Sequence, residues 1–175
     1  MTTLNDIRLL LLGLWLGAAI FFSVVVAPTA FSVLRGFQLP NSGEIAGAIV
    51  NRSLAFVNTS GFALGLFLIV TAFAVKRNYE RRLLLLELAS LAAVTISTGI
   101  GQWVITAKIH ALRTTIAVPI DQVSADDPRR VAFNSLHSYS VAALGVAIIA
   151  ALIAFFALAH RGRPDARNRE GTKWR

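Results

Sequence analysis

Four long stretches of this chain carry almost no charge, and short charged clusters divide them. The first runs from about residue 7 to residue 34, where Ser23, Thr29 and Ser32 are the polar interruptions after Arg8. It is too long for the apolar region of a secretory signal peptide, and its start is not strongly basic. It reads as a helix that crosses a bilayer and stays there. Gly13 and Gly17 form a small-xxx-small pair that lets another helix come close. Pro28 is expected to kink or loosen the far end of this helix. Trp15 lies several residues inside it and suits either an interfacial anchor or packing within a bundle.

Arg35 to Pro40 breaks the pattern. Asn41 followed by Glu44 has the form of a capping box, which predicts a second helix over about 42–75. A helix of that length exceeds the hydrocarbon core, about 30 Å thick, so its first turns and Arg52 belong to the headgroup zone. Asn58-Thr59-Ser60 interrupts it with polar groups, and Gly61 and Gly65 repeat the close-packing spacing. The basic segment from Lys76 to Arg82 has room only for a tight reversal, which makes the second and third helices antiparallel neighbours. The third is predicted over about 82–112, with Ser97, Gly99 and Gly101 as a small face. Glu87 sits just over one turn inside its start. A carboxylate in hydrocarbon is costly, and Arg81 and Arg82 are expected to draw it back into an interfacial ion pair. Asp127-Pro128 reads as N-cap and first residue of a fourth helix, about 128–159.

This pattern predicts an all-α integral membrane protein: an antiparallel four-helix bundle over residues 1–160, then a basic disordered tail over 161–175. Composition supports it. The chain is 55% hydrophobic and only 15% charged, a balance that water would not tolerate on a soluble domain. Its net charge of +8 could suggest nucleic acid, but lysines and arginines flanking spans are the usual mark of cytoplasmic loops. No nucleic-acid partner is expected. Arg8, the four basic residues from Lys76 to Arg82 and six in the tail fall on one side, eleven against six on the other. Both termini are therefore expected in the cytoplasm, in a cytoplasmic (inner) membrane. The absence of cysteine excludes disulfides, thiolate metal sites and cysteine nucleophiles. No phosphate loop, dinucleotide glycine fingerprint or metalloprotease helix is present.

Candidate chemistry gathers between Lys108 and Ser140. Arg130, Asn134 and His137 are spaced by four and three, on one face of the fourth helix. Gln102, Thr106, His110 and Arg113 form a similar stripe on the third. These are the expected ligand-binding residues: His137, Asn134, Arg130, His110, Gln102 and Arg113. His137 is expected to point inward toward the third helix near the outer surface, with Asp121, Asp126 and Asp127 tuning the charge from the loop. Paired arginines favour an anion, although salt bridges to those aspartates would satisfy them equally well. His110 and His137 could hold haem or a divalent metal. That alternative lacks a soft sulfur ligand and a clear set of carboxylates, so no cofactor is favoured. The leading expectation is a non-enzymatic membrane protein whose outer polar cluster binds a small ligand, an ion or a partner subunit. Partners are the lipid bilayer and either a homo-oligomer or a larger membrane complex.

The stretch from Leu12 to Phe31, the segment Ala46 to Val50, and the block Asp127 to Ser140 together resemble the transmembrane-protein-205-like family of four-helix membrane proteins. Phe133 and His137 carry the most specific part of the likeness, followed by Trp15, Gly17, Ala27 and Pro28. More remotely the chain is similar to the membrane part of copper-resistance D proteins and to a haem-binding oxidase of porphyrin synthesis. The resemblance implies the same four-helix fold, and it supplies no reaction to carry over.

Overall fold

The computed structural model describes residues 2–39, 41–74, 81–116 and 118–161. Four long helices dominate them. The first comprises Thr2–Phe21, a π turn Phe22–Val26 and Ala27–Gly36. The second is Ser42–Ala74, unbroken over 33 residues. The third comprises Arg81–Gly99, a π turn Ile100–Ile105 and Thr106–Thr114, and the fourth is Pro128–Arg161. Each contains a stretch long and apolar enough to cross a membrane. The protein is an all-α, multi-pass membrane bundle. The basic segment 75–80 and the tail beyond Arg161 lie outside the described residues, as do the expectations placed on them.

Cross-helix contacts show the antiparallel order. Arg8 meets Leu68 and Glu87, Trp15 meets Val57, and Glu44 meets Arg113. One end of the bundle thus holds Thr2, Ala74, Arg81 and Arg161. The other holds Gly36, Ser42, Thr114 and Pro128. They are called here the Arg8 end and the Pro128 end.

Small residues set the packing. The fourth helix buries Ala147, Ala150, Ala151, Ala154 and Ala157, a face that lets neighbouring backbones approach. Gly61 is covered by the Trp15 indole, and a methyl group there would come within 2.5 Å of the ring. Gly65 lies under the Thr95 hydroxyl, and Gly13 faces Phe155. Gly17 differs from the expectation for its pair: it is exposed, with nothing within 4 Å of where a side chain would start. Trp15 is a packing residue rather than an anchor. It is 6% exposed, and its Nε1 donates to the Val57 carbonyl at 3.0 Å.

Pro28 acts one turn before itself. It lacks an amide hydrogen and its ring crowds the preceding turn, and the helix takes up an extra residue over Phe22–Val26, so that the Ala27 amide donates to Phe22. The second π turn has no proline. It falls at Gly101, where the Asn58 amide nitrogen lies 3.0 Å from the place a Cβ would occupy. The amide and hydroxyl of Thr106 both donate to the Gly101 carbonyl there. A glycine at this position lets the second and third helices close around a polar side chain.

Candidate functional site

The most deeply placed charges are at the Arg8 end. Arg8 and Glu87 are both fully buried, and Arg8 Nη2 donates to Glu87 Oε1 at 2.5 Å and to the Leu68 carbonyl at 2.9 Å. Sequence spacing suggested Arg81 and Arg82 as partners for Glu87, but both are exposed. The reason is geometric. Arg81 and Arg82 lie at the very start of the third helix, where water already solvates them, whereas Glu87 faces the first helix across the bundle. Leu12, Leu68 and Leu91, each at most 1% exposed, form the apolar layer of this region of the core. Arg8 Nε and Nη1 are buried and meet no acceptor among the described residues. A buried donor left that way costs about 1–3 kcal/mol. Buried ionisable groups within a span are functional candidates by default. The signal was present in the sequence: Glu87 interrupts an apolar run, and Arg8 is the cation at the opening of another.

The Pro128 end is built differently. Asp127 caps the fourth helix as expected: its Oδ1 accepts from the Arg129 amide at 2.8 Å, and its Oδ2 from Arg129 Nη2 at 2.7 Å. The side-chain hydrogen bond from Arg129, followed by the backbone one, pulls the Asp127 carboxyl down to about 2. Glu44 does not turn back to complete a capping box but pairs with Arg113. Arg113 also reaches the Val118 carbonyl, and Arg130 Nη1 donates to the Val123 carbonyl at 2.5 Å. These two guanidinium groups brace the connection between the third and fourth helices. Ile116 and Val123 bury their side chains under it.

The inward face of the fourth helix is not the one the polar spacing suggested. Arg130, Phe133 and Leu136 are half-buried and Ser140 is buried, whereas Asn134 and His137 are exposed. The inward placement of His137 is therefore overturned. Phe133 and Leu136 compete for the same contact with the bundle, and apolar side chains gain more by it than groups that water or headgroups can solvate. His110 is likewise exposed on the third helix. Gln102 is half-buried, with its Oε1 shielded and without a donor among the described residues. Asp126 is exposed, and the Asp121 side chain lies outside the described set. The six expected residues thus form no single enclosed pocket. Among the described residues, no three His, Cys, Asp or Glu side chains converge as a metal-binding group.

A family model described as a domain of unknown function, DUF4149, matches residues 10–117. The chain belongs to the DUF4149 family. The match begins at Leu10, just after Arg8, and takes in the rest of the first helix and the whole of the second and third, including Glu87 and the π turn at Gly101. It stops before the Asp127–Ser140 block on which the likeness to the transmembrane-protein-205-like family leans most. No curated protein and no solved structure matches the chain. What is shown is DUF4149 membership and a multi-pass membrane fold.

Proposed function

We propose that this DUF4149 protein is a non-enzymatic component of the cytoplasmic membrane, with both termini in the cytoplasm, that binds a partner subunit across its Pro128 end. One observation carries the reading. Lys108, His110, Asn134 and His137 are exposed on helical turns lying up to two or three turns inside the Pro128 end. At the Arg8 end, exposed charges such as Arg81, Arg82 and His160 stay at the helix termini. Helices of about 50 Å overrun a hydrocarbon core of about 30 Å, and that asymmetry favours a projecting Pro128 end. Exposed side chains on such a projection suit a protein surface better than an enclosed small ligand. Arg113 and Arg130 support that surface by holding the connection in place.

The resemblance to the transmembrane-protein-205-like family supports the four-helix membrane fold on which this reading rests. The charge bias supports the orientation. The test is a photo-crosslinking side chain placed at Asn134 or His137 in native membranes, with Ile149 in mid-span as control. A discrete protein adduct from the first two positions and none from Ile149 is expected. Lipid adducts alone at all three would overturn the reading. A haem band or stoichiometric metal in the purified protein, lost on His137→Ala, would replace it with a cofactor-bearing one.

A further inference from the structure

The second helix presents a shallow, open groove on its outer face, formed by its own side chains Arg52, Ser53, Ala55, Phe56 and Thr59. Its composition changes along the helix axis. Arg52 is exposed and forms no ion pair among the described residues, and no acid lines the groove. One turn deeper, about 6 Å along the axis, Phe56 is 78% exposed, more than any other large apolar side chain described. The same face continues through Ala63 to Val70, both exposed and spaced by seven residues. That stripe is about 21 Å long at 1.5 Å per residue, longer than one leaflet of hydrocarbon at about 15 Å. A cation with the Ser53 hydroxyl beside it thus stands at the head of a track of leaflet length that is apolar apart from Thr59, about 10 Å below Arg52, on a helix long and apolar enough to span the bilayer.

Each feature narrows the occupant. An unpaired guanidinium calls for phosphate oxygens, to which it is geometrically matched. The hydroxyls of Ser53 and Thr59 can donate to further headgroup and ester oxygens. The track from Phe56 to Val70 takes an acyl chain. A zwitterionic headgroup would bring an ammonium close to Arg52 with no carboxylate in the groove to receive it. A net-negative headgroup has no such conflict.

We propose that this groove is a binding site for one anionic phospholipid, its phosphate on Arg52 and an acyl chain laid along Phe56. Arg52 selects the headgroup, and Phe56 fixes the depth at which the lipid sits.

The test uses the full chain with Phe56→Trp as a reporter in mixed bilayers of anionic phosphatidylglycerol and zwitterionic phosphatidylcholine. Bromine is placed on the chains of one lipid or the other, and quenching is taken as the difference from the unsubstituted chain, so that Trp15, Trp103 and Trp174 cancel. Quenching at equal lipid ratios should be about threefold stronger when the anionic lipid carries the bromine, an effect within the range of a surface charge contact. Adding Arg52→Gln should abolish that preference, whereas Arg82→Gln should leave it. Arg52 and Phe56 are exposed, so neither substitution threatens the fold. Equal quenching by both lipids, or a preference that survives Arg52→Gln, would overturn the proposal. Quenching by neither lipid would also overturn it, because the groove would then be covered by protein.

Discussion

Arg8 and Glu87 stand 79 positions apart in the chain and meet at 2.5 Å, with both side chains withdrawn from solvent. The contact ties the start of the first helix to the start of the third. It is made where the second helix offers the Leu68 carbonyl as a further acceptor. A buried pair of this kind returns its desolvation cost only through such added hydrogen bonds, and is of more consequence when broken than when replaced whole.

Glu87→Ala should destabilise the bundle by about 3–5 kcal/mol, because the Arg8 guanidinium is left in low dielectric without its counter-charge, and Arg8→Ala should destabilise it as well through the lost Nη2 contacts to Glu87 and Leu68. Replacing both together, as Arg8→Met with Glu87→Leu, should recover most of that loss. Unfolding titrations in mixed micelles would measure it. A double variant as unstable as the worse single one would show that the pair contributes more than mutual neutralisation.

The glycine contacts predict an ordering. Gly61→Ala forces a methyl against the Trp15 ring, and Gly65→Ala forces one against the Thr95 hydroxyl. Each should cost about 1–3 kcal/mol, the usual range for overpacking. Gly17→Ala meets nothing within 4 Å and removes a flexible residue from a helix. It should be neutral or stabilise by up to about 1 kcal/mol. The same titrations check the order, and equal losses at all three positions would contradict it.

Much of this architecture is legible in the sequence. Four apolar runs of spanning length, separated by charge clusters, leave few alternatives, and Asp127-Pro128 announces its own helix start. The partners of charged groups were harder to read. Glu87 has nearby cations in sequence, yet a distant one faces it in space, and only the rotation of the third helix decides between them. The fourth helix shows the same limit. Arg130, Asn134 and His137 share one face by spacing, and Arg130, Phe133 and Leu136 nearly share another. A rotation of about 100°, one residue step, exchanges histidine for leucine at the contact. The π turn at Gly101 left no mark beyond glycines already explained by close packing.

Asp127 gives a pH prediction with a definite sign. Its folded carboxyl titrates at about 2, below the value of about 3.9 of an unfolded aspartate. The cap therefore contributes fully above about pH 4 and is lost as pH falls toward about 2. The protection of the Arg129 amide against exchange, relative to its intrinsic rate at each pH, should fall over that window. Asp127→Asn, which keeps a capping oxygen but cannot titrate, should remove the pH dependence. Protection that stays constant down to pH 2 in the unsubstituted chain would contradict the assignment.

The last prediction separates support from recognition at the Pro128 end. Arg130 Nη1 donates to the Val123 carbonyl at 2.5 Å, from a half-buried position. His137 is exposed, with no hydrogen bond to the rest of the described chain. Arg130→Ala should free the Val123 carbonyl and loosen the connection that Ile116 and Val123 hold down. Limited proteolysis between residues 115 and 127 should then speed up. A charge-assisted hydrogen bond of this type is worth about 1.5–3 kcal/mol, so local opening should rise by about tenfold or more. His137→Ala should leave the cleavage rate and the global stability unchanged to within about 0.5 kcal/mol, as for an ordinary surface substitution. Any loss of partner crosslinking in His137→Ala would then report contact rather than collapse. Faster cleavage in His137→Ala, or none in Arg130→Ala, would reverse the two roles and move the binding surface onto the connection itself.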